Sequence, residues 1–200
     1  MKALINGKII LKDKVINNSI ITFDKKINNI VSKDSINLNN YKVFDAKGKY
    51  ISPGFIDIHV HGGVGIDTMD SNLEGLKKIG KKVIENGVTS FLPTTMTMPK
   101  KKIYYALNII REFKNIKRYE GARALGAHLE GPFINPEKKG AQNDKYIVKP
   151  SLNFIKNHLD IIKIITYAPE MDKDNKFIKD INKYNDIVLS LGHSLATYEQ

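Results

Sequence analysis

The sequence predicts an α/β protein in which a small N-terminal β-layer precedes repeated strand–helix units on a parallel sheet. Three observations predict it. Short apolar runs separated by turn residues fill positions 1 to 51. From Phe55 onward, near-continuous apolar runs alternate with stretches of helical spacing. Between them, Lys47-Gly48-Lys49-Tyr50-Ile51-Ser52-Pro53-Gly54 punctuates the change of pattern. The expected domains are therefore an accessory β domain over 1–51 and a second domain over 52–200.

In the first domain the runs are Ala3-Leu4-Ile5, Ile9-Ile10-Leu11, Ser19 to Phe23, Ile27 to Val31 and Tyr41 to Phe44. Asn6-Gly7 and Asp24-Lys25-Lys26 separate them, so the layer reads as hairpins of a small β-sandwich type. In the second domain Phe55 to His61 is a strand, and Leu73, Leu76, Ile79 and Val83 space a helix over 72 to 86. Gly87 to Pro93 is a second strand, with a helix from about Lys100 to Phe113. Ala122 to Leu129 is a third strand, followed by a short helix over Ser151 to Asn157. Ile161 to Ala168 is the fourth, Asn175 to Tyr184 a helix, and Ile187 to Leu191 the fifth. Five such units with candidate ligands at their strand C-termini predict the first five βα units of a (β/α)8 TIM-type barrel. The barrel would be incomplete, because a closed one usually needs ~250 residues.

Composition bounds the function. At 42% hydrophobic and 26% charged residues, the chain is globular rather than disordered. It has no cysteine, so a transition metal would be held by imidazole and carboxylate. The N-terminus lacks the apolar region and cleavage site of a signal peptide, and no stretch approaches roughly 20 apolar residues, so a cytoplasmic protein without a membrane partner is expected. The formal charge is +11, but only Arg111, Arg118 and Arg123 among the 32 basic residues are arginines. Scattered lysines read as solvated helix faces, and no nucleic-acid partner is expected. Their field would still steer an anionic small substrate.

The chemistry concentrates at strand ends. In His59-Val60-His61, alternate side chains share a face, so both imidazoles point one way while Val60 points into packing. Gly62-Gly63 follows, where backbone can approach a ligand closely. A single buried histidine is more often a satisfied core residue; two on one strand face point to a metal. Glu130 ends the third apolar run, where a carboxylate must be paired, solvated or bound to a cation, and salt bridge and metal ligand both stay open. His193 takes the corresponding place on the fifth strand, though alone such a residue is more often structural or capping. Together these four donors would suit a mono- or dinuclear site for Zn²⁺, Fe²⁺ or a similar ion. His128 shares the Glu130 face as a supporting partner, whereas His158, at a helix end, is expected to face solvent.

The segments Pro-Gly-Phe-Ile-Asp-Ile-His-Val-His-Gly-Gly from Pro53, Gly-Val-Thr-Ser-Phe-Leu-Pro-Thr-Thr from Gly87, His-Leu-Glu-Gly-Pro-Phe from His128, Lys139-Gly140-Ala141-Gln142 and Leu191-Gly192-His193-Ser194 resemble the N-acetylglucosamine-6-phosphate deacetylase family of the amidohydrolase superfamily. The resemblance implies hydrolysis of the acetamide of a phosphorylated amino sugar, giving glucosamine 6-phosphate and acetate, in a cytoplasmic homodimer. It implies that Glu130 and His193 ligate the principal ion, and that His59 and His61 supply a second site where two ions bind. Ala141 and Gln142 would touch the sugar; relatives often carry His at the position of Gln142 and Asn at that of Leu195. A further metal-ligating His and the catalytic Asp of the family fall beyond residue 200, so no catalytic residue is assigned and residues 1–200 alone are expected to be inactive. Two other readings stand beside this one: another amidohydrolase, of the dihydroorotase-like or deaminase-like kind, and a non-catalytic metal-binding fragment that self-associates through an uncovered strand at Ile187 to Leu191.

Overall fold

The computed structural model describes residues 1–199, which fall into two compact units, Met1–Pro53 and the residues from Gly54 on. The division lies two residues past the expected 51/52 boundary, and Ile51, paired to Ile9, is the last strand residue of the first unit.

The first unit holds two sheets. Strands β1 (Lys2–Ile5), β4 (Ser19–Phe23), β5 (Ile27–Ser32) and β6 (Lys42–Asp45) form one, in the order β5-β4-β1-β6. The other is β2 (Lys8–Ile10) between β3 (Val15–Ile16) and β7 (Tyr50–Ile51). The expected hairpins are present at β4–β5 and β2–β3. Asn6-Gly7 corrects the expectation: it is a corner rather than a hairpin turn. Asn6 takes a left-handed conformation (φ 54°), and the chain leaves one sheet for the other, β1 pairing with β4 and β6 instead of β2. Ala3, Ile9, Ile20 and Ile21 are the buried apolar residues of this unit.

The second unit is parallel throughout its main strands. Strand β8 (Phe55–Val60) pairs with β11 (Val88–Pro93), and β11 with β12 (Arg123–Ala124). Strand β13 (Ala127–Glu130) pairs with β14 (Ile162–Tyr167), and β14 with β15 (Val188–Leu191). A parallel bridge between Thr94 and His128 joins the two sets. A small hairpin, β9 (Gly62–Gly63) with β10 (Ile66–Asp67), follows β8.

The third run differs from the expected continuous strand. It breaks at Leu125-Gly126, where it exchanges one partner for another: Leu125 N–H donates to Phe91 O, and Ala127 N–H to Ile161 O. A Cβ at Gly126 would lie 2.5 Å from Ile161 O, so only glycine allows the approach. The run also extends one residue further than expected, placing Glu130 inside β13.

Helix α1 (Leu73–Ile84) starts at Asn72, whose side chain accepts from Gly75 N–H, a cap that stabilises by about 1 kcal/mol. It buries Leu76 and Ile79. Helix α2 (Lys100–Lys114) buries Ile103, Leu107, Ile110 and Phe113 on one stripe, each contributing about 1.5–3 kcal/mol. Helix α3 (Leu152–Ile155) is a single turn continued as a 3₁₀ turn to His158. Helix α4 (Lys176–Ile181) is shorter than the expected 175–184. Asp174 and Asn175 are left-handed, and the Asp172 carboxylate accepts from Phe177 and Ile178 N–H, fixing the start. No helix among the described residues is long and apolar enough to cross a membrane.

Candidate metal centre

The expected strand ends one residue early, at Val60, so His59 lies in β8 and His61 just past it, and both are set by the residue between them. Val60 is buried and tied twice to Thr94: its N–H donates to Thr94 Oγ1 at 2.9 Å, and its carbonyl accepts from Thr94 N–H at 2.8 Å. With that link fixed, strand alternation sends both imidazoles to the opposite face. They meet there, the two Nε2 atoms 3.0 Å apart.

Glu130 lies between them and His193. Its Oε2 is 3.0 Å from His59 Nε2 and 2.7 Å from His61 Nε2, and its Oε1 is 2.6 Å from His193 Nε2. Gln142 Nε2 donates to the same Oε1 at 3.2 Å, while Gln142 Oε1 accepts from Thr97 N–H at 2.7 Å. Gln142 is thus buried with both ends of its amide engaged. Ala141 is exposed on the turn beside it. Gly131, left-handed at φ 68°, lets the chain turn directly after Glu130; a Cβ there would fall 2.1 Å from Thr97 Oγ1.

Backbone carbonyls aim the rings. His61 Nδ1 faces Thr94 O at 3.3 Å and His193 Nδ1 faces Lys138 O at 2.8 Å. In each, an Nδ1–H donating to that carbonyl leaves the Nε2 lone pair toward Glu130. Lone pairs of two imidazoles and a carboxylate on one point repel unless a proton or a cation lies among them. The protein supplies the proton in part. Burial would push the Glu130 carboxyl up, but hydrogen bonds from His61 and His193 and the nearby imidazole charges hold it at about 2. The hydrogen bond to Glu130 raises the pKa of His61, against the opposing effect of burial. His59, His61 and Glu130 offer ligand atoms all within 4.8 Å of one another, a donor set of nitrogen and oxygen that fits a divalent transition ion.

His193 has a strained backbone, φ 52°, which costs a β-unbranched residue of order 1–3 kcal/mol and persists only where surroundings impose it. His128 is buried on the Glu130 face but bonds elsewhere: Nδ1 to Ile58 O at 2.8 Å and Nε2 to Thr166 Oγ1 at 2.7 Å, its ring edge-on to His59. Burial lowers its pKa, favouring the neutral ring. His158 contradicts the expectation of a solvent-facing side chain. It is 5% exposed, packed with ring centroids 4.4 Å from Tyr104, because the 3₁₀ turn after α3 rotates it inward onto α2. It takes no part in the centre.

The expected donors thus meet, and a cavity of about 490 Å³ lined by His59, His128, Glu130, Thr166, Leu191 and His193 opens beside them. The chain matches the model of the amidohydrolase family over residues 50–183. The chain belongs to the amidohydrolase family. Among curated relatives it is 41% identical to an N-acetylglucosamine-6-phosphate deacetylase of Bacillus subtilis over 150 residues, covering 72% of this chain and 38% of that protein. It is 38% identical to the enzyme of the same description from Lysinibacillus sphaericus, covering 78% of this chain and 41% of the relative. The crystal structure of N-acetylglucosamine-6-phosphate deacetylase from Pasteurella multocida superposes with a TM-score of 0.88 at 31% identity, over 99% of this chain and 52% of that one. The chain therefore spans about two fifths of the curated relatives it matches and about half of the solved one.

Residues that sequence reasoning did not single out complete the site. Thr94 fixes Val60, Asn135 N–H donates to His193 O at 2.9 Å, and Glu170 bonds the residues that follow His193. Glu170 carried a usable signal, a carboxylate just after the fourth apolar run, the same pattern that marked Glu130.

Proposed function

We propose that the chain is the metal-holding portion of an enzyme that hydrolyses the acetamide of N-acetylglucosamine 6-phosphate to glucosamine 6-phosphate and acetate. The observation that carries this reading is the convergence of His59, His61 and His193 on the two oxygens of Glu130. In this reading 1–51 is an accessory β domain, and 52–200 is a partial metal-dependent amidohydrolase barrel formed by the first five βα units of a (β/α)8 fold. Glu130 and His193 would hold the principal ion, and His59 and His61 would supply a second site where two bind; Zn²⁺ or Fe²⁺ suits this donor set.

A divalent ion held there supplies Lewis-acid activation of water and of the amide carbonyl. The protein's own groups prepare the place. Gln142 holds the Glu130 carboxylate in one orientation, and the neutral His128 ring supports His59 without adding a competing charge. The cavity beside Glu130 and His193 is of a size for a hexosamine phosphate, and the basic surface would draw in the phosphate. Ala141 and Gln142 lie outside its lining, and their contact with the sugar rests on the family resemblance alone. The proton shuttle of the family has no counterpart assigned within 1–200, so turnover requires more than these residues. The complete enzyme is proposed as a cytoplasmic homodimer.

A second substrate reading is favoured by one relative, an N-acetylgalactosamine-6-phosphate deacetylase of Escherichia coli O157:H7 at 33% identity over 162 residues. Metal content of the purified chain, with acetate release measured from both sugar phosphates, tests these readings. Near-stoichiometric metal that is lost in His193→Ala, without acetate release, is the expected result. A chain devoid of metal refutes the site, and His193-dependent turnover refutes the need for a further proton shuttle.

A further inference from the structure

We infer that Glu170 is a positioning residue for His193, the brace that holds the strained end of β15 in the geometry a metal requires; this rests on the metal-centre reading above. Glu170 stands in the turn after β14, at Pro169–Met171. Its Oε2 accepts from Ser194 Oγ at 2.6 Å, and its Oε1 accepts from Leu195 N–H at 2.6 Å and from Asn135 Nδ2 at 2.9 Å. Those three donors come from two segments that flank His193 and do not otherwise need a shared carboxylate. Asn135 belongs to the segment after β13, and through its own backbone N–H it holds His193 O at 2.9 Å. Three residues on, Lys138 O orients the His193 ring through Nδ1.

The arrangement has one purpose that packing alone does not explain. His193 takes φ 52°, a conformation that non-glycine residues leave when they are free to. Directly after it the chain is pinned at Ser194 and Leu195, and directly before it Gly192 N–H donates to Tyr167 O at 3.3 Å. Glu170 therefore ties together the ends of three neighbouring strands, β13, β14 and β15, at the point where Nε2 of His193 must face Glu130. Without the carboxylate, Ser194 and Leu195 lose their acceptor and the backbone at His193 relaxes toward negative φ, which turns the imidazole away. A glutamine keeps one acceptor oxygen for Leu195 and Asn135, and its amide can donate to Ser194 Oγ, so most of the brace survives that change.

The test is a Zn²⁺ competition titration against a chromophoric chelator, with the visible absorption spectrum of the Co²⁺-loaded chain, on the wild type, Glu170→Ala, Glu170→Gln, Ser194→Ala and His193→Ala. Thermal melts in EDTA report folding separately from metal. We expect Glu170→Ala to lose 10–100-fold in Zn²⁺ affinity with a shifted Co²⁺ spectrum, the range typical of groups that orient ligands. Glu170→Gln should stay within about threefold of wild type by the same measure. Should Glu170→Ala not fold, Ser194→Ala, which removes one bond of the brace, is expected to show the same spectral shift with a smaller loss. Affinity within twofold and an unchanged spectrum in both Glu170→Ala and Ser194→Ala overturn the inference. So does equal loss in the alanine and glutamine variants that tracks a lowered melting temperature in EDTA. A wild-type chain that binds no Zn²⁺ overturns the metal centre itself, and is told apart from failure of the brace by that control.

Discussion

Strand β13 is buried along its whole length, whereas β8 and β15, which bring the histidines to it, lie open over most of theirs. On β8, Phe55, Ile56 and Ile58 are more than half exposed, and on β15 Val188 and Leu191 are 60% and 68% exposed. The carboxylate and the imidazoles thus reach one point by different means. Glu130 is held by what surrounds it on all sides. The histidines come at the ends of β8 and β15, the outer strands of the two sets formed by the described residues, and each is held by a local device: Thr94 under Val60, and Asn135 with Glu170 around His193.

The contrast can be broken first at its centre. Leu129→Ala, at a fully buried position beside Glu130, is expected to lower the unfolding free energy by about 2–5 kcal/mol in a urea titration. If it costs less than 1 kcal/mol, β13 is not the rigid member of the pair. Next in size, Glu130→Gln should reduce Zn²⁺ affinity by about 100-fold or more, since it removes the anionic ligand on which all three histidines converge. Metal analysis after gel filtration reads this directly; retention of metal at wild-type level would shift the site away from Glu130.

A smaller effect tests the edge device. Thr94→Val leaves the Val60 N–H without its acceptor, costing about 1–3 kcal/mol, and should weaken metal binding while Leu191→Ala stays within about 0.5 kcal/mol of wild type. Equal losses in the two variants would erase the distinction between a braced and an unbraced edge position.

Acidity separates apo and metal-loaded chains. The raised His61 pKa means the folded apo chain holds that proton more tightly than the unfolded one. Its contribution to stability is complete below the unfolded value of about 6.5 and fades as pH rises through the raised value. Zn²⁺ affinity runs the other way, falling by about tenfold per pH unit below the raised value for each proton displaced. His128 and His158, whose pKa values burial lowers, act on apo stability in the opposite sense. The His61 part is therefore read as the difference between wild-type and His61→Gln melts between about pH 5.5 and 8.5, which should fall with pH while Zn²⁺ affinity rises. Parallel slopes would remove His61 from the ligand set.

Much of this was legible from residue order. His-x-His on a strand, apolar runs alternating with helical spacing, and Glu130 and His193 at the ends of such runs placed four donors at strand termini, because the period of two and the apolar run are local properties. The remainder depends on distant partners. Gly126 breaks the third run only because Ile161 O approaches it, and His158 is buried only because Tyr104 lies over it. The Asn6-Gly7 corner carries the residue signature of a hairpin turn and differs from one only in which strands await on either side. Thr94 and Glu170 act through bonds to residues 34 and 25 positions away; the place of Glu170 after the fourth apolar run is a local signal, but its partners are not.

The carbonyls of Thr94 and Lys138 give Nδ1 of His61 and His193 a main-chain acceptor, which favours the tautomer whose Nε2 is left for an ion. An imidazole free to choose would spend part of its time with the proton on the wrong nitrogen, and each ion would wait for a ring to isomerise. Main-chain oxygens at Nδ1 bias that choice, so the proton an ion must displace is the one on Nε2 that faces Glu130. Filling the centre then costs a proton from Nε2 and little rearrangement of the rings, so it is coupled to the acidity of the medium.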